Sequence, residues 1–180
     1  MAYALVDDFI ESFDQNPEAI VLDLDPSPDH THGLQQGTLF NAFEGEYCYM
    51  PFHLYDGITG KLITTVLRPG RVPSAEEILW LLRRVVRRLR RAFPEVTLVF
   101  RGDSHHTKPA VMAWMEHQQV DFCTGVQPNP RLRELFASEL QDARAAHQRT
   151  GRLIRRYASR MHQVSTWSRP QRIVCRILVD

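Results

Sequence analysis

A chain of 180 residues, 43% hydrophobic and 24% charged, has the size and composition of one globular domain with a real core. No apolar run approaches the roughly 20 residues that cross a bilayer, and the acidic start (Asp7, Asp8, Glu11, Asp14) is unlike a secretory signal. The net charge of +1 hides a polarity: eleven acids and no Lys or Arg precede Lys61, whereas nine arginines and no acid lie between Ala143 and Val179.

That asymmetry points to an acidic site able to hold cations and a basic surface able to hold polyanions, against the plainer reading of two solvated faces. Cys48, Cys123 and Cys175 are odd in number and lack ligand spacing, as expected of reduced core thiols in a cytoplasmic protein.

In chain order, Leu5, Phe9, Ile10 and Phe13 predict a short amphipathic helix. Ala19–Asp25 is an apolar run that ends in carboxylates and then Pro26-Ser27-Pro28, the pattern of a buried strand with its acids at the carboxyl end. A polar loop, Asp29–Gly37, follows. Tyr47–Tyr55 and Lys61–Leu67, around Asp56-Gly57 and Thr59-Gly60, predict an antiparallel hairpin in which Pro51 marks an edge or a bulge. Ser74 and Glu77 form a capping box for a helix with Ile78, Leu82, Val85 and Leu89 on one face and six arginines on the other, ended by Pro94. That basic face is either solvated or a track for a nucleic acid backbone.

Val96–Phe100 is a second buried strand, running out through Arg101-Gly102 into Asp103-Ser104. If it lies parallel to the first, Asp25 and Asp103 meet at one rim. Lys108-Pro109 opens a short helix and Val120–Thr124 predicts a further buried strand. Leu132, Leu135, Phe136 and Leu140 suggest a helix fading near Gly151, and Arg172–Val179 a closing strand.

This order of strand, hairpin, helix, strand, helix, strand indicates an α/β fold with a mixed sheet, and it is the order of ribonuclease-H-like folds. Leu22-Asp23-Leu24-Asp25-Pro26-Ser27 with the His32-Gly33 and Gln36-Gly37 loop resembles the first-aspartate region of bacterial insertion-sequence transposases of the DDE class. The Tyr-rich strand and Phe100-Arg101-Gly102-Asp103-Ser104 resemble the continuation to the second aspartate. The resemblance runs from about Ile20 to Asn129. It implies DNA transposition by metal-dependent phosphodiester hydrolysis and strand transfer, on double-stranded DNA (transposon ends and target), by an enzyme that is a homodimer at full length and nucleoid-associated when on DNA. Mg²⁺, or Mn²⁺, would be held by Asp25 and Asp103 as catalytic ligands, with Asp23, His32 and Ser104 as accessories. The family's third acid, a Glu on a later helix, has no counterpart; Tyr157 and Arg160 have the right spacing, but Val164 stands at the Glu position. Residues 1–128 are then expected to form a partial DDE core, and 129–180 a helix and an incomplete basic β-rich insertion. This truncated chain could be inactive alone. Arg152, Arg155, Arg156, Arg160 and Trp167 are its candidates for DNA contact.

Other readings stay open. Asp23 and Asp25 point to the same side of a strand, so either could be the first ligand. Asp103 could be a plain helix cap. His30, His32, His105 and His106 could serve a transition metal, and Trp167 could be a core residue. Asp23-Leu24-Asp25-Pro26-Ser27 also fits a haloacid-dehalogenase-type phosphatase with Asp23 as nucleophile and Asp25 as general acid–base. The chain could equally be a catalytically dead DNA-binding fragment.

Overall fold

The computed structural model describes residues 3–33 and 35–180. Leu34, within the expected polar loop, lies outside them. The chain divides into two units, residues 1–126 and 127–180.

In the first unit, helix α1 (Tyr3–Glu11) precedes strand β1 (Ala19–Pro26). Three short strands, β2 (Asp29–His30), β3 (Leu39–Asn41) and β4 (Glu46–Tyr49), make a small sheet in the order β2-β4-β3. Strands β5 (Phe52–Asp56) and β6 (Leu62–Val66) follow, then helix α2 (Ala75–Ala92), strand β7 (Thr97–Gly102), helix α3 (Pro109–His117) and strand β8 (Asp121–Thr124). The main sheet is mixed, in the order β6-β5-β1-β7-β8. β1 is central, antiparallel to β5 and parallel to β7, and β7 is parallel to β8.

The expected hairpin is therefore split. Pro51 has no N–H to give a ladder, and the run from Tyr47 to Tyr55 breaks there. β4 joins the small sheet, while β5 pairs with β6 and β1. The loop expected over Asp29–Gly37 contributes β2 to that small sheet.

The core lies on one face of the main sheet. Ile20, Leu22 and Leu24 of β1, Phe52 and Leu54 of β5, and Leu98 and Phe100 of β7 are buried, as are Ile78, Leu82, Val85 and Leu89 of α2 and Val111 and Met115 of α3. Each such side chain contributes roughly 1.5–3 kcal/mol. The alternate residues Val21, Asp23, Val99 and Arg101 are half-buried or exposed. β1 and β7 are thus covered on one face rather than on both, and β8, expected as buried, alternates between exposed and half-buried positions. Of the three thiols only Cys48 is buried; Cys123 is exposed and Cys175 intermediate.

The capping box forms as the sequence dictates. Ser74 Oγ accepts from the Glu77 amide at 3.2 Å, and Glu77 accepts from the Ser74 amide at 2.8 Å. Glu77 also receives Arg71 and the buried Arg68, whose guanidinium lies 4.3 Å from the Phe52 ring centre. Burial pushes the Glu77 carboxyl up, but the Ser74 amide and Arg68 outweigh it and hold it below its ordinary value of 4.5.

In the second unit, α4 (Pro130–Leu135) and α5 (Ala137–Thr150) replace the one expected helix, and Gly151 ends α5 in the left-handed region at φ 60°. Strands β9 (Ile154–His162) and β10 (Gln171–Val179) form an antiparallel hairpin. No helix among the described residues is long and apolar enough to cross a membrane.

Candidate active site

The parallel ladder of β1 and β7 sets the site. Ala19 opposes Thr97, and the register holds through Leu24 opposite Gly102. Asp25 and Asp103 are the residues that follow that last pair, so both carboxylates stand where their strands end at the same edge. On the other flank, Asp25 is the register partner of His53 in β5, whose Nδ1 lies 3.1 Å from Thr65 Oγ1.

The two acids differ in how they are held. No hydrogen bond or ion pair engages the carboxylate of the exposed Asp25 among the described residues. Asp103 caps a single 3-10 turn, Ser104–His106: Oδ1 accepts from the His105 amide at 2.8 Å and Oδ2 lies 2.8 Å from His105 Nδ1. The cap and the rim position coexist. Partial burial pushes the Asp103 carboxyl up, but the His105 ring and the nearby His106 prevail and keep it below the ordinary 3.8.

The sequence groups His106 with His30, His32 and His105, as candidates for a transition metal or as polar loop residues. His106 is fully buried beneath the rim, with Nδ1 2.7 Å from Asp103 Oδ1 and with Nε2 unpartnered. Burial drives its pKa down while the charges of Asp103 and, less strongly, Asp25 oppose that, so the ring is held toward its neutral form. A Cβ on Gly102 would meet the His106 ring at 3.0 Å, which explains the small residue ahead of Asp103. Gly125, after β8, abuts the same turn: a Cβ there would stand 2.9 Å from the Ser104 nitrogen. Its amide donates to the Gly102 carbonyl at 3.1 Å, and its own carbonyl accepts from the Thr107 hydroxyl.

Asp23 is committed elsewhere. Arg101, its register partner on β7, donates through Nε at 2.9 Å and through a second nitrogen to the other carboxylate oxygen. That bidentate bond, against some burial, holds Asp23 below its ordinary value. His32 is exposed, and Ser104 belongs to the turn that Asp103 caps.

The basic candidates lie in the second unit. Arg152, Arg155 and Arg156 are exposed. Arg160 pairs with Glu139 of α5 and lies 5.9 Å from the Phe136 ring centre. Trp167, in the turn between β9 and β10, is half-buried and packs edge-on against His162 at 6.0 Å.

A cation at the rim would find two carboxylates, one unengaged and one kept ionised. That fits a hydrated Mg²⁺, which keeps several waters and takes one or two protein carboxylates. It does not fit a closed cage, for no three His, Cys, Asp or Glu side chains that could hold a metal converge among the described residues.

The model of the family described as "Transposase DDE domain group 1" matches residues 1–180. The chain belongs to that family. For this DDE domain, the cryo-EM structure of a piggyBac transposase synaptic complex with hairpin DNA is a similar solved structure, at 14% identity and a TM-score of 0.45. The match covers 83% of the DDE domain chain and 31% of that structure's chain, so the chain spans less than a third of that relative's length. No curated protein matches it.

Proposed function

We propose that this chain carries part of the catalytic centre for DNA transposition, with Asp25 and Asp103 as ligands for Mg²⁺ (Mn²⁺ serving in its place) on a ribonuclease-H-like sheet. The observation that carries the reading is the parallel register of β1 and β7, with Leu24 opposite Gly102 immediately before the two acids. Residues 1–128 act as the core and 129–180 as a basic segment, and the full-length enzyme works as a homodimer on double-stranded DNA.

When bound, the divalent ion supplies charge neutralisation at a scissile phosphate and acidifies the attacking water or 3′-hydroxyl. The chain's own residues do the rest. Asp25 offers an unengaged carboxylate, and His105 fixes the rotamer of Asp103 and keeps it ionised. His106 fills the space under the rim and excludes water from below. Arg152, Arg155 and Arg156 hold DNA phosphates. A third carboxylate completes a two-metal centre in this reading, and these residues do not supply it, so the chain alone is expected to nick DNA weakly.

Two measurements test the proposal. Mn²⁺ should broaden the nuclear magnetic resonance signals of the amides around Asp25 and Asp103, and Asp25→Asn should abolish the effect. Supercoiled plasmid should be nicked only with divalent metal, and not by Asp103→Asn. Broadening unchanged by both substitutions would remove these acids from the site.

The phosphatase alternative needs a free Asp23 nucleophile, and the bidentate grip of Arg101 argues against it. A DNA-binding fragment without catalysis is the reading that remains if DNA is held and no metal is.

A further inference from the structure

Six arginines decorate the outer face of α2, and they are not used alike. Arg84 stacks on Trp80 with 4.2 Å from its guanidinium carbon to the ring centre, and Arg88 pairs with Asp7. Arg90 donates to the Gln119 carbonyl at 3.0 Å. Arg83, Arg87 and Arg91 make no ion pair or hydrogen bond among the described residues. Together with Arg90, Trp114 and Gln118 they line a groove of about 460 Å³ between α2 and α3, and no acid lines it.

We infer that this groove is a second contact for the phosphate backbone of duplex DNA, separate from the acidic rim. The inference rests on the reading of the chain as a DNA-transacting domain. Arg83, Arg87 and Arg91 are each four residues apart, hence in one row at about 6 Å steps along the helix. A row of evenly spaced cations suits a repeating anion better than a single one, and guanidinium forks match phosphate oxygens. An amphipathic helix laid in the groove would need apolar anchors, and the one aliphatic lining residue, Val86, is itself buried.

The groove sits at the opposite end of the sheet from the acids. It is built from the carboxyl-terminal halves of α2 and α3, which feed the starts of β7 and β8, whereas Asp25 lies in β1, one residue before its end, and Asp103 directly follows β7. Six residues of β7 separate the two edges, about 20 Å of strand. DNA in the groove is therefore held at a distance from the cation at the rim.

The test is fluorescence anisotropy of a labelled 20-base-pair duplex of arbitrary sequence, with no metal, over a salt series on the full chain. The variant Arg83→Ala/Arg87→Ala/Arg91→Ala should bind about tenfold or more weakly, with the slope of log affinity against log salt reduced by about 2 to 3. The matching triple Lys variant should recover most of that slope, which a merely structural role would not produce. With Trp80 and Trp167 changed to Phe, duplex should quench the remaining Trp114. Unchanged affinity and slope in the Ala variant overturn the groove while leaving DNA binding to the second unit. Quenching of Trp114 by a poly-glutamate peptide and not by duplex overturns it in favour of an acidic protein partner. Failure of the unmodified chain to hold duplex at low salt also overturns it, and plasmid nicking with metal, scored separately, decides the catalytic reading.

Discussion

Arg101 grips Asp23 across the parallel pair β1–β7 with two guanidinium nitrogens, two residues before Asp25 and Asp103. The two carboxylates of the Asp23-Leu24-Asp25 segment thus differ. One is neutralised by the neighbouring strand, and the other is open.

The first prediction follows from that difference. Asp23→Asn should leave Mn²⁺ affinity within about twofold, whereas Asp25→Asn should lower it by about tenfold or more, since a lost ligand costs at least as much as a lost supporting bond. Calorimetric titration with MnCl₂ checks it. Equal losses in both variants would make Asp23 a ligand and require Arg101 to move.

Gly125 supports the turn that carries Asp103 without touching any cation. Because an added Cβ would stand 2.9 Å from the Ser104 nitrogen and 3.3 Å from the Asp103 carbonyl carbon, Gly125→Ala should shift the amide resonances of Ser104 and His105. It should weaken Mn²⁺ binding while costing only about 1–3 kcal/mol of stability, as overpacking does. Unchanged amide shifts would mean that the turn and β8 separate freely.

Stability should depend on acid through Glu77. Its folded pKa lies below the ordinary 4.5, so its contribution is complete above that value and is lost as pH falls through the lower folded value. Glu77→Gln removes the charge that the buried Arg68 and the cap depend on. The urea midpoint of Glu77→Gln should fall by the equivalent of about 1–3 kcal/mol at pH 7, and the gap to the parent should narrow below the ordinary value. A gap independent of pH would assign the effect to packing.

Arg155 and Arg160 should behave differently although both lie on β9. Arg160 is spent on Glu139 and Phe136 within its unit. Arg155 is exposed and makes no ion pair among the described residues. Arg155→Ala should lower the salt slope of DNA binding by about 1, whereas Arg160→Ala should chiefly lower the melting temperature. The reverse pattern would mean that the pair with Glu139 opens in solution.

Much of the fold was legible because local chemistry and tertiary packing agree. The Ser74–Glu77 box, the α2 stripe and the acids at the ends of two apolar strands all formed as the sequence indicates. What was not legible depends on partners. Val21 sits in a continuous apolar run, which reads as burial on both faces, yet it is only half-buried. Pro51 signalled an irregularity but not that the chain changes sheets there. His106 looked like one more polar loop histidine. Its burial comes from Gly102 and Phe100, which local pattern does not connect to it. Arg101 gave no sign of its pairing, because that needs the register of a strand 78 positions away.

That separation has a kinetic consequence. β1 and β7 become neighbours only after a long loop has been closed, so their pairing is a contact of high sequence separation and belongs among the slower steps of folding. During synthesis, Asp25 leaves the ribosome long before Asp103 exists. The rim is therefore absent until β5, β6 and α2 have been made and β7 has docked against β1. A nascent or partly unfolded chain consequently carries both acids without a site between them, and any cation affinity of the rim should appear in refolding experiments together with the central ladder and not before it.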